Sequence, residues 1–179
     1  TMQVYPSGKQ ASFLQIPGRF SYESVRIWYH KMARVSTNSK KYRRCIAIDE
    51  IKIKIGNKYW YVWAAIDVDS WEIVGVMVTE WRTSIDAIKF ARDILKYCDN
   101  KPVIKTDRGP WYRWTLQRLG LKHEYETFGE RNAIEGWFNI LKARLKRFWK
   151  RFPFNASKES LESWITAFVA LYNLEVKIS

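Results

Sequence analysis

Three acidic residues stand at positions where an ionised side chain is costly. Asp49 interrupts the apolar run 45–48, Asp107 ends a second apolar run, and Glu135 lies in an apolar stretch with helical spacing. A carboxylate held against a core needs a proton, an ion pair or a metal to compensate its charge. If the three converge, their hard oxygen ligands favour Mg²⁺ or Mn²⁺. Two such ions stabilise the attacking and leaving oxygens of an in-line displacement at phosphorus, so the acids predict metal-dependent phosphoryl transfer.

The order of the three acids carries more weight than any one of them. An Asp at a strand end is more often a turn or cap residue, and a helical Glu often lies on a solvated face. Here one acid lies on the first strand, one ends the fourth, and one lies on a later helix. Glu130 is a competing third acid, but it follows Phe128 and Gly129 in a loop pattern. Glu135 is preferred because it lies within a strong helical pattern.

The helix that carries Glu135 has two different faces. Asn139, Lys142 and Lys146 follow Glu135 at steps of four, seven and eleven residues, so they share its face. The opposite stripe is apolar and is expected to face the sheet: Ile134, Trp137, Phe138, Leu141, Leu145 and Phe148. The polar ridge could hold metal at its acid and then follow a DNA backbone. The alternative is a solvated face with ordinary Glu–Lys pairing.

Periodicity and turn signals predict the architecture from residue 45 onward. Strands are expected at 45–55, 59–68, 72–80, 102–106 and 122–127, and helices from 83 or 84 to about 95, at 112–119, at 132–152 and at 157–174. The Gly56–Asn57 turn makes the first two strands a hairpin. Antiparallel strands followed by strands that alternate with helices imply a five-stranded mixed sheet flanked by helices. This α/β order is that of the ribonuclease-H-like fold.

The first 44 residues differ from the rest of the chain. Residues 1–35 predict a small helical segment in which Pro17–Gly18 separates two helices and Ser21 caps the second. This segment is interpreted either as a partial helix-turn-helix that binds DNA or as a helical hairpin packed on the main domain. Residues 36–44 predict a basic linker, either lying on phosphates or solvated. Its candidate DNA contacts are Lys40, Lys41, Arg43 and Arg44, and the catalytic domain is expected at 45–179.

Composition favours a polyanionic partner. Lys plus Arg number 31 against 18 Asp plus Glu, a formal net charge of +13. Two Cys and two His leave little for a disulfide framework or a zinc site. No long apolar run or secretory signal is visible, so a cytoplasmic, nucleoid-associated protein with no membrane contact is expected. Ten Trp, ten Tyr and nine Phe exceed what the core needs, which predicts an aromatic surface that contacts a partner chain or stacks on bases.

Four motifs together resemble the DDE transposases of prokaryotic insertion sequences. The likeness runs from about Ala11 to Glu175. Its motifs are Ile-x-x-Asp-Glu at 46–50, Tyr-x-Trp-x-x-x-Asp at 61–67, Thr-Asp-x-Gly at 106–109 and Asn-x-x-Glu at 132–135. Each motif is weak alone, and the ordered set is specific.

This resemblance implies a ribonuclease-H-like, retroviral-integrase-like catalytic core that cuts and joins DNA at transposon ends. Asp49 and Asp107 would bind two divalent metal ions, and Glu135 would complete the site. Arg131 and Lys142 match positions expected near DNA, whereas Asp67 is expected to be structural. The implied partners are transposon-end DNA, target DNA and a second copy of the chain, because synapsis joins two ends.

Two other functions fit the same residues. One is a catalytically inactive relative that keeps the fold and the basic surface and only binds DNA. The other is a ribonuclease-H-type nuclease that acts on RNA–DNA hybrids.

Overall fold

The computed structural model describes residues 21–33, 38–125, 129, 132–148 and 157–178. The elements in chain order are α1 (Tyr22–Met32), β1 (Cys45–Ile55), β2 (Lys58–Asp67), β3 (Ile73–Thr79), α2 (Ser84–Leu95), β4 (Val103–Thr106), α3 (Pro110–Arg118), β5 (His123–Tyr125), α4 (Asn132–Phe148) and α5 (Lys158–Ile178). From Cys45 onward this is the order that the sequence predicts.

The strands form one five-stranded mixed sheet in the order β3-β2-β1-β4-β5. β1 pairs antiparallel with β2, and β2 with β3, whereas β4 runs parallel to β1 and β5 runs parallel to β4. Gly56 has a φ of 57° in the turn between β1 and β2, a conformation that costs glycine little. This sheet with its flanking helices confirms the predicted fold class.

Alternating residues of β1 bury opposite faces of the sheet. Ala47 and Ile51 belong to a core cluster that includes residues of α4 and α5. Ile46 and Ile48 belong to a second cluster with residues of α2 and α3. Each fully buried Ile contributes about 1.5–3 kcal/mol relative to an exposed one. The sheet therefore lies between two helical layers, and a side chain on β1 meets one layer or the other according to its parity.

Local signals set the helix boundaries. The Ser21 side chain accepts a hydrogen bond from Ser24 N, and Thr83 forms a capping box with Asp86, as the cap predictions require. α3 starts at Pro110, two residues before the predicted start, because proline fits the first turn of a helix. β5 begins at His123, one residue after the predicted start, and is described to Tyr125, whereas α4 is described to Phe148. The predicted remainders 126–127 and 149–152 lie outside the described residues.

The segment before β1 is only partly described. The first predicted helix lies outside the described residues, and α1 contacts α5. Residues 38–44 are tied to the domain: Asn38 Nδ2 donates to Val74 O at 2.7 Å, and Asn173 Nδ2 donates to Asn38 Oδ1 at 3.0 Å. This described part of the predicted linker packs against the sheet, and the division at 35 and 44 stays a prediction.

Across the described residues, the helices are too short or too polar to cross a bilayer.

Candidate active site

Asp49 lies on β1, and Asp107 directly follows the last residue of β4, the parallel strand beside β1. The β1–β4 register pairs Ala47 with Lys105, and the two aspartates each follow two residues further along. Neighbouring strands lie about 4.8 Å apart, and residues two apart point to the same side of a sheet. Asp49 and Asp107 therefore extend from adjacent chain segments.

That face is the one that α4 covers. Ala47 and Ile51 flank Asp49 at alternate positions of β1, and both pack in the cluster that contains Ala133 and Ile134 of α4. Because parity is fixed along a strand, Asp49 points toward the α4 layer. Asp107 directly follows β4, whose pairing with β1 ends at Ala47 and Lys105. The topology thus brings two of the three predicted acids to adjacent chain segments and sets the third on the helix that covers the Asp49 side of the sheet.

Short hydrogen bonds hold both half-buried aspartates. Asp49 Oδ1 accepts from the backbone N of Glu50 at 2.9 Å, and Asp107 Oδ1 accepts from Gly109 N at 2.8 Å. Asp107 therefore does serve as a turn residue, the role that most strand-end aspartates have. One oxygen of a carboxylate can serve the turn while the other binds a ligand.

The end of β4 is anchored next to Asp107. Thr106 is fully buried, and its hydroxyl donates to the backbone O of Asp107 at 2.7 Å. The same hydroxyl lies 2.7 Å from His123 Nε2 on β5. Burial lowers the pKa of His123, which favours the neutral ring at this hydrogen bond. These contacts fix the backbone from which Asp107 projects.

Glu135 lies in the first turn of α4 and is exposed. The expectation that it lies against a core is wrong, because the buried side of α4 is formed by Ile134, Trp137 and Phe138. Asn139 and Lys142 are exposed, as expected for the polar ridge. Lys146 lies in α4, but its side chain falls outside the described set, as do Glu130 and Arg131.

The aspartate pair offers hard oxygen donors of the kind that Mg²⁺ and Mn²⁺ prefer, so its chemistry fits a divalent ion. In the described part of the chain, however, no three Asp, Glu, His or Cys side chains gather closely enough to hold a metal ion. The roles of Asp49, Asp107 and Glu135 as metal ligands therefore stay predictions.

A buried acid that the sequence analysis did not single out lies directly behind Asp49. Glu50 points to the opposite face of β1, where its Oε1 accepts from Arg82 Nη1 at 3.0 Å and its Oε2 accepts from the Tyr112 hydroxyl. The Arg82 guanidinium also stacks 3.9 Å from the Trp111 ring centroid. The available signal was an acid at a core-facing position of an apolar strand.

This cluster is electrostatically coupled to the aspartates. Burial raises the pKa of Glu50, and the charges of Asp49 and Asp107 raise it further, although Tyr112 and Arg82 oppose them. Burial also holds the pKa of Tyr112 well above its usual range, as do its contacts with Glu50. Glu50 thus lies close enough to both aspartates for their charges to raise its pKa, although its side chain is on the other face of β1.

Arg43, predicted to contact DNA, is instead completely buried. Its side chain has 0% exposure, with Nη1 at 2.6 Å from Asp67 Oδ2 and Nη2 at 3.0 Å from Glu72 Oε2. Burial would raise the pKa of Glu72, but hydrogen bonds from Lys41 and Arg43 outweigh it and lower that pKa. The prediction that Arg43 contacts DNA is wrong, because its guanidinium is buried and pairs with Asp67 and Glu72. Asp67 is structural, as predicted.

The other three basic residues of this segment stay near the surface. Lys40 pairs with Asp99 at 3.3 Å, and Arg44 pairs with Asp69 at 2.6 Å; both cations are more than half exposed. Lys41 is less exposed and pairs with Glu72 at 3.0 Å. Their contact with DNA stays a prediction.

A family model described as a DDE domain, of the IS240 transposase type, matches residues 44–176. The chain therefore belongs to the DDE transposase family, whose domains carry out polynucleotidyl transfer. The chain is 47% identical to the uncharacterised protein MJ0017 of Methanocaldococcus jannaschii over 166 residues, which cover 92% of this chain and 78% of that protein.

Solved structures share the fold at low sequence identity. The catalytic core of HTLV-2 integrase in complex with magnesium, in its dimeric form, is 19% identical with a TM-score of 0.56, over 74% of this chain and 88% of that one. A chain of the simian T-cell lymphotropic virus intasome, solved with the PP2A regulatory subunit B56 gamma, is 15% identical with a TM-score of 0.57 over 75% of this chain. This chain spans half the length of that intasome chain.

Proposed function

We propose that this chain is the catalytic domain of a DNA transposase that cleaves strands at transposon ends and joins them to target DNA. The reaction would depend on divalent metal, with Asp49, Asp107 and Glu135 as the acidic residues of its site. Water would serve as nucleophile in cleavage and a DNA 3′-hydroxyl in strand transfer.

One arrangement supports this proposal above all others. Asp49 points to the sheet face that α4 covers, and Asp107 directly follows β4, the parallel strand next to β1. Two carboxylates that met at this point would repel each other unless a cation lay between them. Both aspartates are half-buried, and the neighbouring helix α4 bears a third acid. This arrangement favours a cation-binding site over the alternative that the three acids are unrelated turn and surface residues.

Each acid has a distinct share in holding the site. Asp49 would bind from the rigid middle of β1 and Asp107 from the anchored end of β4. Glu135 would complete the set from the first turn of α4, where its side chain is exposed. Two Mg²⁺ or Mn²⁺ ions held there would neutralise charge on the attacking and leaving oxygens of the displaced phosphate.

The exposed ridge of α4 would position the DNA. Asn139 lies one turn beyond Glu135, and Lys142 lies nearly two turns beyond it. An amide and an ammonium group in this order can hold successive phosphates and so orient the scissile bond in line with the nucleophile. Lys146 would continue the ridge, and Arg131 would contact DNA just before the helix. Lys40, Lys41 and Arg44 would add phosphate contacts near the start of β1.

Transposition joins two DNA ends, so we infer a homodimer as the working unit. The HTLV-2 integrase core of similar fold was solved in a dimeric and in a trimeric form, which supports self-association of the chain. Light scattering of the chain with and without DNA measures it directly. A monomer at every concentration in the presence of DNA contradicts it.

Strand cleavage and transfer test the catalytic roles. The substrates are labelled duplexes made from the terminal sequences that flank the coding region, with Mg²⁺ or Mn²⁺ present. Asp49→Asn, Asp107→Asn and Glu135→Gln should each lose at least about 100-fold in rate, because each removes charge stabilisation made in the transition state. Asp93→Asn is the matched control, since Asp93 lies in an exposed ion pair with Lys96 on α2.

The rival functions give other results in the same assay. Full activity in either aspartate variant contradicts the proposed roles. Binding without cleavage under all metal conditions indicates an inactive relative. Cleavage confined to RNA–DNA hybrids indicates a ribonuclease-H-type nuclease.

A further inference from the structure

The outer half of the β1–β2 hairpin places cations and aromatic rings side by side. Lys52 pairs with Tyr61 and Lys54 pairs with Tyr59 in the strand register, so all four lie on one face. Lys52 Nζ is 4.2 Å from the Tyr59 ring centroid and 5.9 Å from that of Tyr61. Arg82 lies 5.4 Å from the Tyr61 ring. We call these five residues the hairpin stripe.

The β1–β2 hairpin beyond Glu50 carries only positive charge up to Ile66. The sequence holds no Asp or Glu from residue 51 to residue 66. Glu50, the next residue of β1 on the stripe's face, is buried and neutralised by its ion pair with Arg82. Lys52 and Lys54 are exposed, and Tyr59 is 51% exposed. The stripe is therefore accessible and attractive to an anion.

Protection of a strand edge explains only part of this pattern. Within the described strands, β4 pairs with only Cys45–Ala47 of β1, so the outer half of β1 has a sheet edge that lysines could guard. That role needs charge alone. It does not need large exposed rings, and it gives no reason for lysines to lie over the Tyr59 ring.

We propose that the hairpin stripe binds single-stranded DNA. Lys52 and Lys54 neutralise neighbouring phosphates, and Tyr59 stacks on an unpaired base. Aromatic faces interleaved with cations are the general means of binding single strands without sequence preference. In a duplex the bases are already stacked, so Tyr59 would have no base face to meet.

The stripe is separate from the proposed active site. Lys52 lies three residues beyond Asp49 on β1, roughly 10 Å along the strand, and its side chain is on the opposite face. A strand that leaves the aspartates could reach the stripe within a few nucleotides. The inference rests on the proposed function in taking DNA as the ligand, but binding at the stripe does not require cleavage.

Fluorescence anisotropy measures DNA binding by the full chain. The buffer contains EDTA, which removes the divalent metal that cleavage would need. The probes are a labelled oligothymidine strand and a mixed-sequence duplex of the same length. The variants of the full chain are Lys52→Gln/Lys54→Gln, Tyr59→Leu and Tyr59→Phe, each checked for folding by circular dichroism. Lys96→Gln/Lys122→Gln is the charge-matched control, because it removes two lysines that pair with Asp93 and Glu124 elsewhere on the surface.

The expected losses separate charge from stacking. For single-strand binding, the logarithm of the association constant falls linearly with the logarithm of the salt concentration. The Lys52→Gln/Lys54→Gln variant should make this slope shallower by about 1.4, which is roughly 0.7 for each lost phosphate contact. Tyr59→Leu should weaken single-strand binding about tenfold. Tyr59→Phe, which keeps the ring, should bind like the wild type.

Three results would overturn the inference. One is unchanged single-strand binding in the Lys52→Gln/Lys54→Gln or Tyr59→Leu variant. Another is an equal loss in the charge-matched control, and the last is a loss confined to the duplex. None of these depends on the catalytic role of the three acids, so failure of the stripe and failure of the proposed function are told apart.

Discussion

Glu50 accepts a hydrogen bond from the hydroxyl of Tyr112, which joins β1 to α3 across 62 residues of sequence. Both groups are buried, and Glu50 adjoins Asp49 in the strand. The orientation of β1 at the proposed active site therefore depends on a polar contact on the opposite face of the sheet. Removal of the Tyr112 hydroxyl leaves Glu50 Oε2 without this donor, and removal of the Glu50 carboxylate leaves the Tyr112 hydroxyl without this acceptor.

Tyr112→Phe removes the hydroxyl and leaves Glu50 one donor short. The free energy of unfolding should fall by about 1–3 kcal/mol, the cost of an unsatisfied buried polar group. Urea unfolding measures it. Tyr42→Phe is the matched control, because Tyr42 is 71% exposed and the same change there should stay within about 0.5 kcal/mol. An equal effect of the two substitutions would contradict a buried role for the Glu50–Tyr112 bond.

Arg43 and Arg44 are sequence neighbours in opposite environments. Arg43→Met should cost about 3–5 kcal/mol, because it removes the fully buried cation that pairs with the buried carboxylates of Asp67 and Glu72. Arg44→Met should cost no more than about 1 kcal/mol, because its pair with Asp69 is solvent-exposed. Denaturant unfolding of both variants measures the difference. A cost for Arg44→Met that matches that of Arg43→Met would refute the assignment.

Gly109 leaves no room for a side chain beside Asp107. A Cβ there would lie 2.7 Å from the Trp111 ring and 2.9 Å from Asp107 Oδ1. Gly109→Ala should therefore destabilise the fold by about 1–3 kcal/mol, as overpacking does, and should displace the turn that holds Asp107. The readouts are urea unfolding and the cleavage rate.

Gly136 provides the contrasting case beside Glu135. A Cβ there would have no atom within 4 Å, and the residue lies inside α4. Gly136→Ala should stabilise the protein by about 0.5–1 kcal/mol, since glycine is unfavourable within a helix. A stabilising Gly109→Ala, or a strongly destabilising Gly136→Ala, would show that these surroundings are wrong.

His123 should make stability depend on pH. Burial lowers its pKa from the usual 6.5 in the folded state, so the unfolded chain binds the proton more readily. The neutral His123 ring therefore contributes to the free energy of unfolding above pH 6.5, and this contribution is lost as the pH falls through the folded-state pKa. NMR titration of the imidazole should find the His123 pKa below 6.5 in the native protein. A value at or above 6.5 would mean that the ring is not buried against Thr106.

Local patterns predicted most of the fold because they report local physics. Alternating Ile and Lys residues with the Gly56–Asn57 turn defined β1 to the residue. Ser21 and Thr83 marked helix starts through side-chain caps that lie three residues from their targets. Periodicity and turn signals also predicted the order of the strands, which the structure confirms from Cys45 onward.

Long-range pairing limited the rest. Arg43 looked like a phosphate contact because its neighbours are basic, but its partners Asp67 and Glu72 are distant in sequence. Glu135 seemed buried because Ile134 and Trp137 surround it in sequence. In a helix those neighbours point elsewhere, and the residue is exposed. The distance from the Glu135 carboxylate to those of Asp49 and Asp107 depends on how α4 packs on the sheet, which a local sequence pattern does not determine.

Anomalous diffraction from a crystal soaked in Mn²⁺ tests the central claim most directly. The account predicts density between the carboxylates of Asp49 and Asp107, with the Glu135 side chain turned toward it. That density should disappear in Asp107→Asn crystals treated in the same way. Mn²⁺ bound only elsewhere, or an empty space between ordered Asp49 and Asp107 side chains, would contradict it.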